Sequence, residues 1–138
     1  MSIRSTALML LVLASASAHA LGGTLEEQLV RYAAEVRAAD SAFSGFSAAR
    51  GEQFHNARFG TGKPDTPACS TCHGSDPATP GRTLTGKAIE PVALSASPSR
   101  YADPEKVEKW FKRNCNEVLG RACSPAEKGD WLAYMQSR

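Results

Sequence analysis

Cys69-Ser70-Thr71-Cys72-His73 decides how the rest of this chain is read. Two thiols stand three positions apart, and an imidazole directly follows the second. On a turn, thiols at that spacing reach the two vinyl groups of one haem, and the adjacent His places its ring beneath the iron as proximal ligand. Two other chemistries use the same Cys spacing. A structural zinc site needs a second ligand pair; the remaining cysteines, Cys115 and Cys123, are spaced too widely to suit one. A thioredoxin-like redox pair belongs near a βαβ pattern, and no strand run is visible. The expectation is one covalently bound haem c.

Upstream of the motif, Gly60 to Pro67 reads as loop from its Gly and Pro content. A short helix is expected from about Phe46 to Phe59, with Ala48, Gly51 and Phe54 on one side. Gly51 inside it costs about 1 kcal/mol relative to Ala. Close approach by another helix or by a cofactor would be a reason to keep it. Thr24-Leu25-Glu26-Glu27 is a capping box, and Leu25, Leu29, Tyr32 and Val36 continue at helical spacing to about Ala39. Further back, Arg4, the apolar run Ala7 to Leu13 and Ala18-His19-Ala20 have the pattern of a signal peptide cleaved after Ala20. Residues 1–20 are therefore read as leader and residues 21–138 as a single domain. The apolar run is too short to span a bilayer as a helix.

Downstream, Ser75 to Pro98 has no sustained periodicity. So long an irregular stretch in a small domain points to a wrap that covers something. Asp103-Pro104 opens a helix, Asp as N-cap and Pro at the first helical position. Val107, Trp110, Phe111 and Asn114 follow on one stripe and place Asn114 inward, at a helix end. Ser124-Pro125-Ala126-Glu127 opens the last helix with another capping box, and Trp131, Leu132, Tyr134 and Met135 form its apolar side.

The 138 residues allow one domain. With 7% aromatics the core is thin, and a bulky apolar cofactor would help it fold. A net charge of +2 without a basic cluster argues against nucleic-acid binding. The run Glu105, Lys106, Glu108, Lys109, Lys112, Arg113 is read as the solvated side of a helix. Export would place the four cysteines where disulfides persist. Either all four pair, or two take a cofactor and two form one bridge. A bridge closing Cys115 to Cys123 would stabilise by about 2.5 kcal/mol in the chain-entropy model.

The sixth iron position has three candidates. Met135 is the methionine that remains after the leader, beside Trp131 and Tyr134, where core filling is the commoner role. His55 is the other histidine of the mature chain. Asn114 either caps a helix end or turns its carbonyl oxygen to the iron.

From about Gly51 to the C-terminus the chain resembles the SHP (sphaeroides haem protein) family of monohaem c-type cytochromes. Gly62-Lys63-Pro64-Asp65-Thr66-Pro67, Thr85-Gly86-Lys87, Val107-Glu108-Lys109-Trp110, Arg113-Asn114-Cys115-Asn116, Gly120-Arg121, Cys123 and Glu127-Lys128 carry the likeness. The run around Asn114 is its specific part. The resemblance implies an all-α, class I cytochrome c-like fold with an extra N-terminal helix. It implies Cys69 and Cys72 as haem attachments, His73 as proximal ligand and Asn114 as sixth ligand of ferric iron. It also implies a Cys115–Cys123 disulfide beside that ligand, and Trp110 and Phe111 are expected to help exclude water from the pocket. Members of the family release the asparagine on reduction and bind oxygen, nitric oxide or carbon monoxide, and they are expected to take electrons from a dihaem cytochrome in the periplasm. A related cytochrome c-double-prime group has His where Asn114 stands. The competing functions are a plain electron carrier with permanent His/His or His/Met ligation, and an oxidoreductase acting on oxygen or nitric oxide.

Overall fold

Side-chain caps fix most helix starts in the structure, a computed structural model that describes residues 24–138. The expected leader lies outside the described residues. Helix α1, Leu25–Ala39, opens as the capping box requires: the Glu27 N–H donates to Thr24 Oγ1 at 3.2 Å and the Thr24 N–H to the Glu27 carboxylate at 2.8 Å. Such a cap stabilises by about 1 kcal/mol.

Helix α2, Ala48–Asn56, is shorter at both ends than the expected Phe46–Phe59. Ser47, in extended backbone, uses its hydroxyl to accept from the Arg50 N–H, and Ala57 turns extended. Gly51 keeps its place because of another helix. A Cβ there would lie 2.0 Å from the Asp130 carbonyl oxygen. The Asp130 carboxylate then accepts from the Ser47 N–H at 2.7 Å and from the Arg50 guanidinium at 2.7 and 2.8 Å.

Ser70–His73 forms one turn, α3. The chain after it is irregular apart from a ladder of β1, Gly81–Arg82, against β2, Ala88–Ile89. It is antiparallel, with Gly81 opposite Ile89. Two residues per strand carry no alternation, so the pair is not legible from periodicity. Backbone bonds pin the wrap: the N–H groups of Val92 and Ala93 donate to Pro77 O at 2.9 and 2.8 Å, and the Leu94 N–H donates to Met135 O at 2.9 Å.

Helix α4, Pro104–Leu119, starts at its Asp103 cap and ends at Gly120, whose φ of +69° favours glycine. Helix α5, Pro125–Gln136, starts at the Ser124–Glu127 box. The core lies among α1, α4 and α5. Phe111 meets Tyr32 and Trp131 edge-on, at centroid distances of 6.4 and 5.5 Å. Leu132 and Met135 are fully buried, and burying each such side chain contributes roughly 1.5–3 kcal/mol. Glu108 departs from the solvated face expected for it. It is half-buried and accepts hydrogen bonds from the Tyr32 hydroxyl and from Lys128 Nζ, the latter at 2.6 Å. That node ties the N-terminal helix to α4 and α5.

The Cys115–Cys123 disulfide is formed, with a Cα–Cα distance of 5.6 Å, inside the usual bridging range. No helix among the described residues is long and apolar enough to cross a membrane.

Candidate haem centre

The Cys69–His73 segment is built as a tight turn. The N–H groups of Cys72 and His73 both donate to Cys69 O, at 3.3 and 3.1 Å. Gly74 ends it at a φ of +72°, where a Cβ would be strained. Gly81 backs onto it from the wrap, since a Cβ there would lie 2.1 Å from Cys72 O. A lone Gly beside a short strand can signal such close approach.

Cys69 and Cys72 are free thiols, not joined to each other. Burial pushes the Cys69 thiol up to about 11. Burial, with the negative charge of Glu117, also raises Cys72. A reactive redox pair is marked by the opposite shift, so these thiols give the thioredoxin-like reading no support. Among the described residues no group of three or more His, Cys, Asp or Glu is placed to hold a metal ion, which leaves zinc without its ligands. His73 is half-buried, and burial, chiefly, lowers its pKa to about 4. Its Nδ1 is buried without a hydrogen-bond partner. A neutral imidazole with an unpaired ring nitrogen beside two unjoined thiols fits haem c, which consumes both thiols and needs a neutral ring.

Asn114 lies within α4, not at its end, because the helix runs on through Leu119. The helix-cap reading therefore falls. The buried stripe of α4 is Val107, Phe111, Cys115, Val118 and Leu119. Cys115, four residues after Phe111, takes the inward place assigned to Asn114, in keeping with 3.6 residues per turn. Asn114 is half-buried at the edge of that stripe, and its side chain has no hydrogen bond to another described residue. Trp110, one turn earlier on the same edge, is 46% exposed, with the Arg113 guanidinium 5.4 Å from its ring centroid. Phe111 is a core residue between Tyr32 and Trp131. The two aromatics therefore differ: Phe111 supports α4 from inside, and Trp110 stands beside Asn114.

The segment leading into the cysteines is laid along the end of α4. The Lys63 N–H donates to Glu117 O at 2.7 Å, and the Thr61 hydroxyl donates to Leu119 O at 2.7 Å. A Cβ on Gly62 would lie 2.3 Å from Glu117 O. A cavity of about 530 Å³ is lined by Arg58, Phe59, Gly60, Gly62, Pro64 and Pro67. None of the expected ligands lines it.

The rival sixth ligands are committed elsewhere. Trp131 Nε1–H donates to His55 Nδ1 at 3.1 Å, and His55 Nε2 lies 2.7 Å from Gly74 O. An indole N–H only donates and a carbonyl only accepts. His55 is therefore neutral, with its proton on Nε2 and no lone pair left for iron. Burial likewise lowers its pKa. Met135 is fully buried in the hydrophobic core. The His55 link was not legible in the sequence, because its partners stand 19 and 76 positions away.

Comparison with known proteins fits this geometry. Residues 41–135 match the family described as a domain of unknown function, DUF1924. The cytochrome c-type protein SHP of Cereibacter sphaeroides is 56% identical over 77 residues, covering 56% of this chain and 60% of that protein. Cytochrome c'' of Methylophilus methylotrophus is 38% identical over 122 residues, covering 86% of this chain and 85% of its own length. The structure of oxidized SHP, described as an oxygen-binding cytochrome c, superposes with a TM-score of 0.75 at 43% identity, covering 83% of this chain and 97% of that one. The chain is thus a helical haem protein of the cytochrome c class. Within that class it belongs to the SHP family and carries the DUF1924 domain. The structural match covers more of the chain than the stretch after Gly51.

Proposed function

We propose that this chain is an exported monohaem cytochrome that binds small gases when reduced. Cys69 and Cys72 hold the haem covalently, His73 is its proximal ligand, and Asn114 is the sixth ligand of the ferric form. Haem supplies an iron that changes charge and takes a diatomic ligand. Asn114 offers that iron an amide oxygen, a hard and weak donor. Ferric iron tolerates it, whereas ferrous iron favours softer or π-accepting partners. Reduction would therefore weaken the hold of Asn114, and Trp110, one turn earlier on the same edge of α4, would stand beside the freed position. Oxygen, nitric oxide and carbon monoxide are the candidate ligands, in keeping with the oxygen-binding description of oxidized SHP. Residues 1–20 direct export to the periplasm, where a dihaem cytochrome is the expected electron donor.

The observation that carries this reading is the half-buried Asn114 amide, without a side-chain hydrogen bond to another described residue, together with the commitment of both rivals elsewhere. Optical spectra of the holoprotein, before and after dithionite and with carbon monoxide, test it. Asn114→Ala is expected to keep its haem and to turn the ferric form high-spin or water-ligated. An unchanged ferric spectrum assigns the ligand elsewhere. A ferrous protein that stays low-spin and ignores carbon monoxide ends the release mechanism.

A further inference from the structure

We propose that His55 is a positioning residue for His73, acting through the Gly74 carbonyl. The inference rests on His73 being the proximal ligand. A metal-bound histidine ordinarily donates its second ring N–H to a carboxylate, carbonyl or water, which fixes the ring's orientation. His73 Nδ1 has no such partner. Its orientation must come from the backbone that carries it.

That backbone is held from two sides. Gly81 lies against Cys72 O. On the other side His55 Nε2–H donates to Gly74 O at 2.7 Å, one residue past His73. Gly74 has a φ of +72°, so no helix bond continues beyond it to hold its carbonyl in line.

His55 can serve as a fixed point because it is itself immobilised. It is 0% exposed. Trp131 Nε1–H donates to its Nδ1, and the Trp131 and Tyr134 rings lie 6.3 and 5.8 Å from its centroid. Gly51, one turn earlier, seats α2 directly on the α5 backbone. A continuous line of contacts thus runs from α5 through Trp131 and His55 to the turn bearing His73. Both ring nitrogens of His55 are taken up, by Gly74 O and Trp131, so it acts on His73 through the backbone.

The test uses ferric holoprotein labelled with 15N-histidine, read by NMR, together with its reduction potential. In the wild type, His55 should show the tautomer with the proton on Nε2, and the His73 ring should carry iron-induced hyperfine shifts. His55→Leu is expected to move those His73 shifts and the potential. His55→Gln keeps a donor toward Gly74 O and should lie nearer the wild type. Trp131→Phe retains the fold's aromatic packing and, by freeing Nδ1, should move the same shifts by a smaller amount. It carries the test if His55→Leu does not fold. The proposal is overturned if the folded variants keep wild-type His73 shifts and potential, or if Gln displaces them as far as Leu. A wild-type His73 ring without hyperfine shifts would instead defeat the ligand assignment, with the His55 tautomer unaffected.

Discussion

The turn bearing His73 and the helix bearing Asn114 are built to opposite specifications. The first is confined by its own backbone bonds to Cys69 O, by Gly81 behind Cys72, and by His55 at Gly74 O. The second presents an amide at the edge of α4 with no side-chain hydrogen bond to another described residue. A ligand that must stay needs support from outside itself. One that must leave is better without ties that would hold it near or away. On the proposed assignment, the external ties fall on the turn of the permanent ligand, while the Asn114 side chain, on a well-packed helix, has none among the described residues.

The largest effect is expected from removing the attachment. Cys69→Ser with Cys72→Ser should give a chain from which haem is lost on denaturation and acid–acetone extraction. Haem that stays with the polypeptide would contradict the assignment of both thiols. Next, Gly81→Ala attacks the confined side. Its Cβ would meet Cys72 O at 2.1 Å, and overpacking of this kind costs about 1–3 kcal/mol. Urea titration measures it, and a negligible loss would show that this support yields easily. Asn114→Ala attacks the other side. Lacking side-chain bonds, it should change stability by no more than about 0.5 kcal/mol; a loss several times larger would erase the contrast.

The smallest effect is one of pH, in the loop that follows α4. The Arg121 guanidinium, hydrogen-bonded to Glu127 at 2.7 and 2.8 Å, holds that carboxyl below its ordinary 4.5, with the Ser124 cap helping. A carboxyl depressed in the fold contributes stability that is full above its ordinary value and lost as pH falls through the folded value. Thermal melts from pH 7 to 3 should therefore steepen below about pH 4.5, and Arg121→Ala should flatten that slope. An identical slope in the variant would assign the acid sensitivity to other carboxyls.

Much of this was legible in the sequence because caps are local. Thr24–Glu27, Asp103–Pro104 and Ser124–Glu127 each placed a helix start within a few residues of chain. Gly51 correctly announced close contact, though not with which element. The rest depended on long-range packing. Ser47 trimmed α2, and the β1–β2 pair was too short for any period. The stripe Val107, Trp110, Phe111, Asn114 puts Asn114 inward at a helix end. In fact α4 continues past Cys115, and the bridge reaches back from beyond Gly120. Trp110 and Phe111 are adjacent in sequence and fall on different faces, which periodicity alone did not separate.

The joined and unjoined cysteines have a consequence for biogenesis. A nascent polypeptide with four thiols admits three fully paired arrangements, and the folded chain uses none of them. On the proposed assignment, oxidation has to join Cys115 to Cys123 while leaving Cys69 and Cys72 free for the cofactor. Loading of the cofactor would then compete with oxidation, and a premature link within the C-x-x-C pair would yield a folded but barren product.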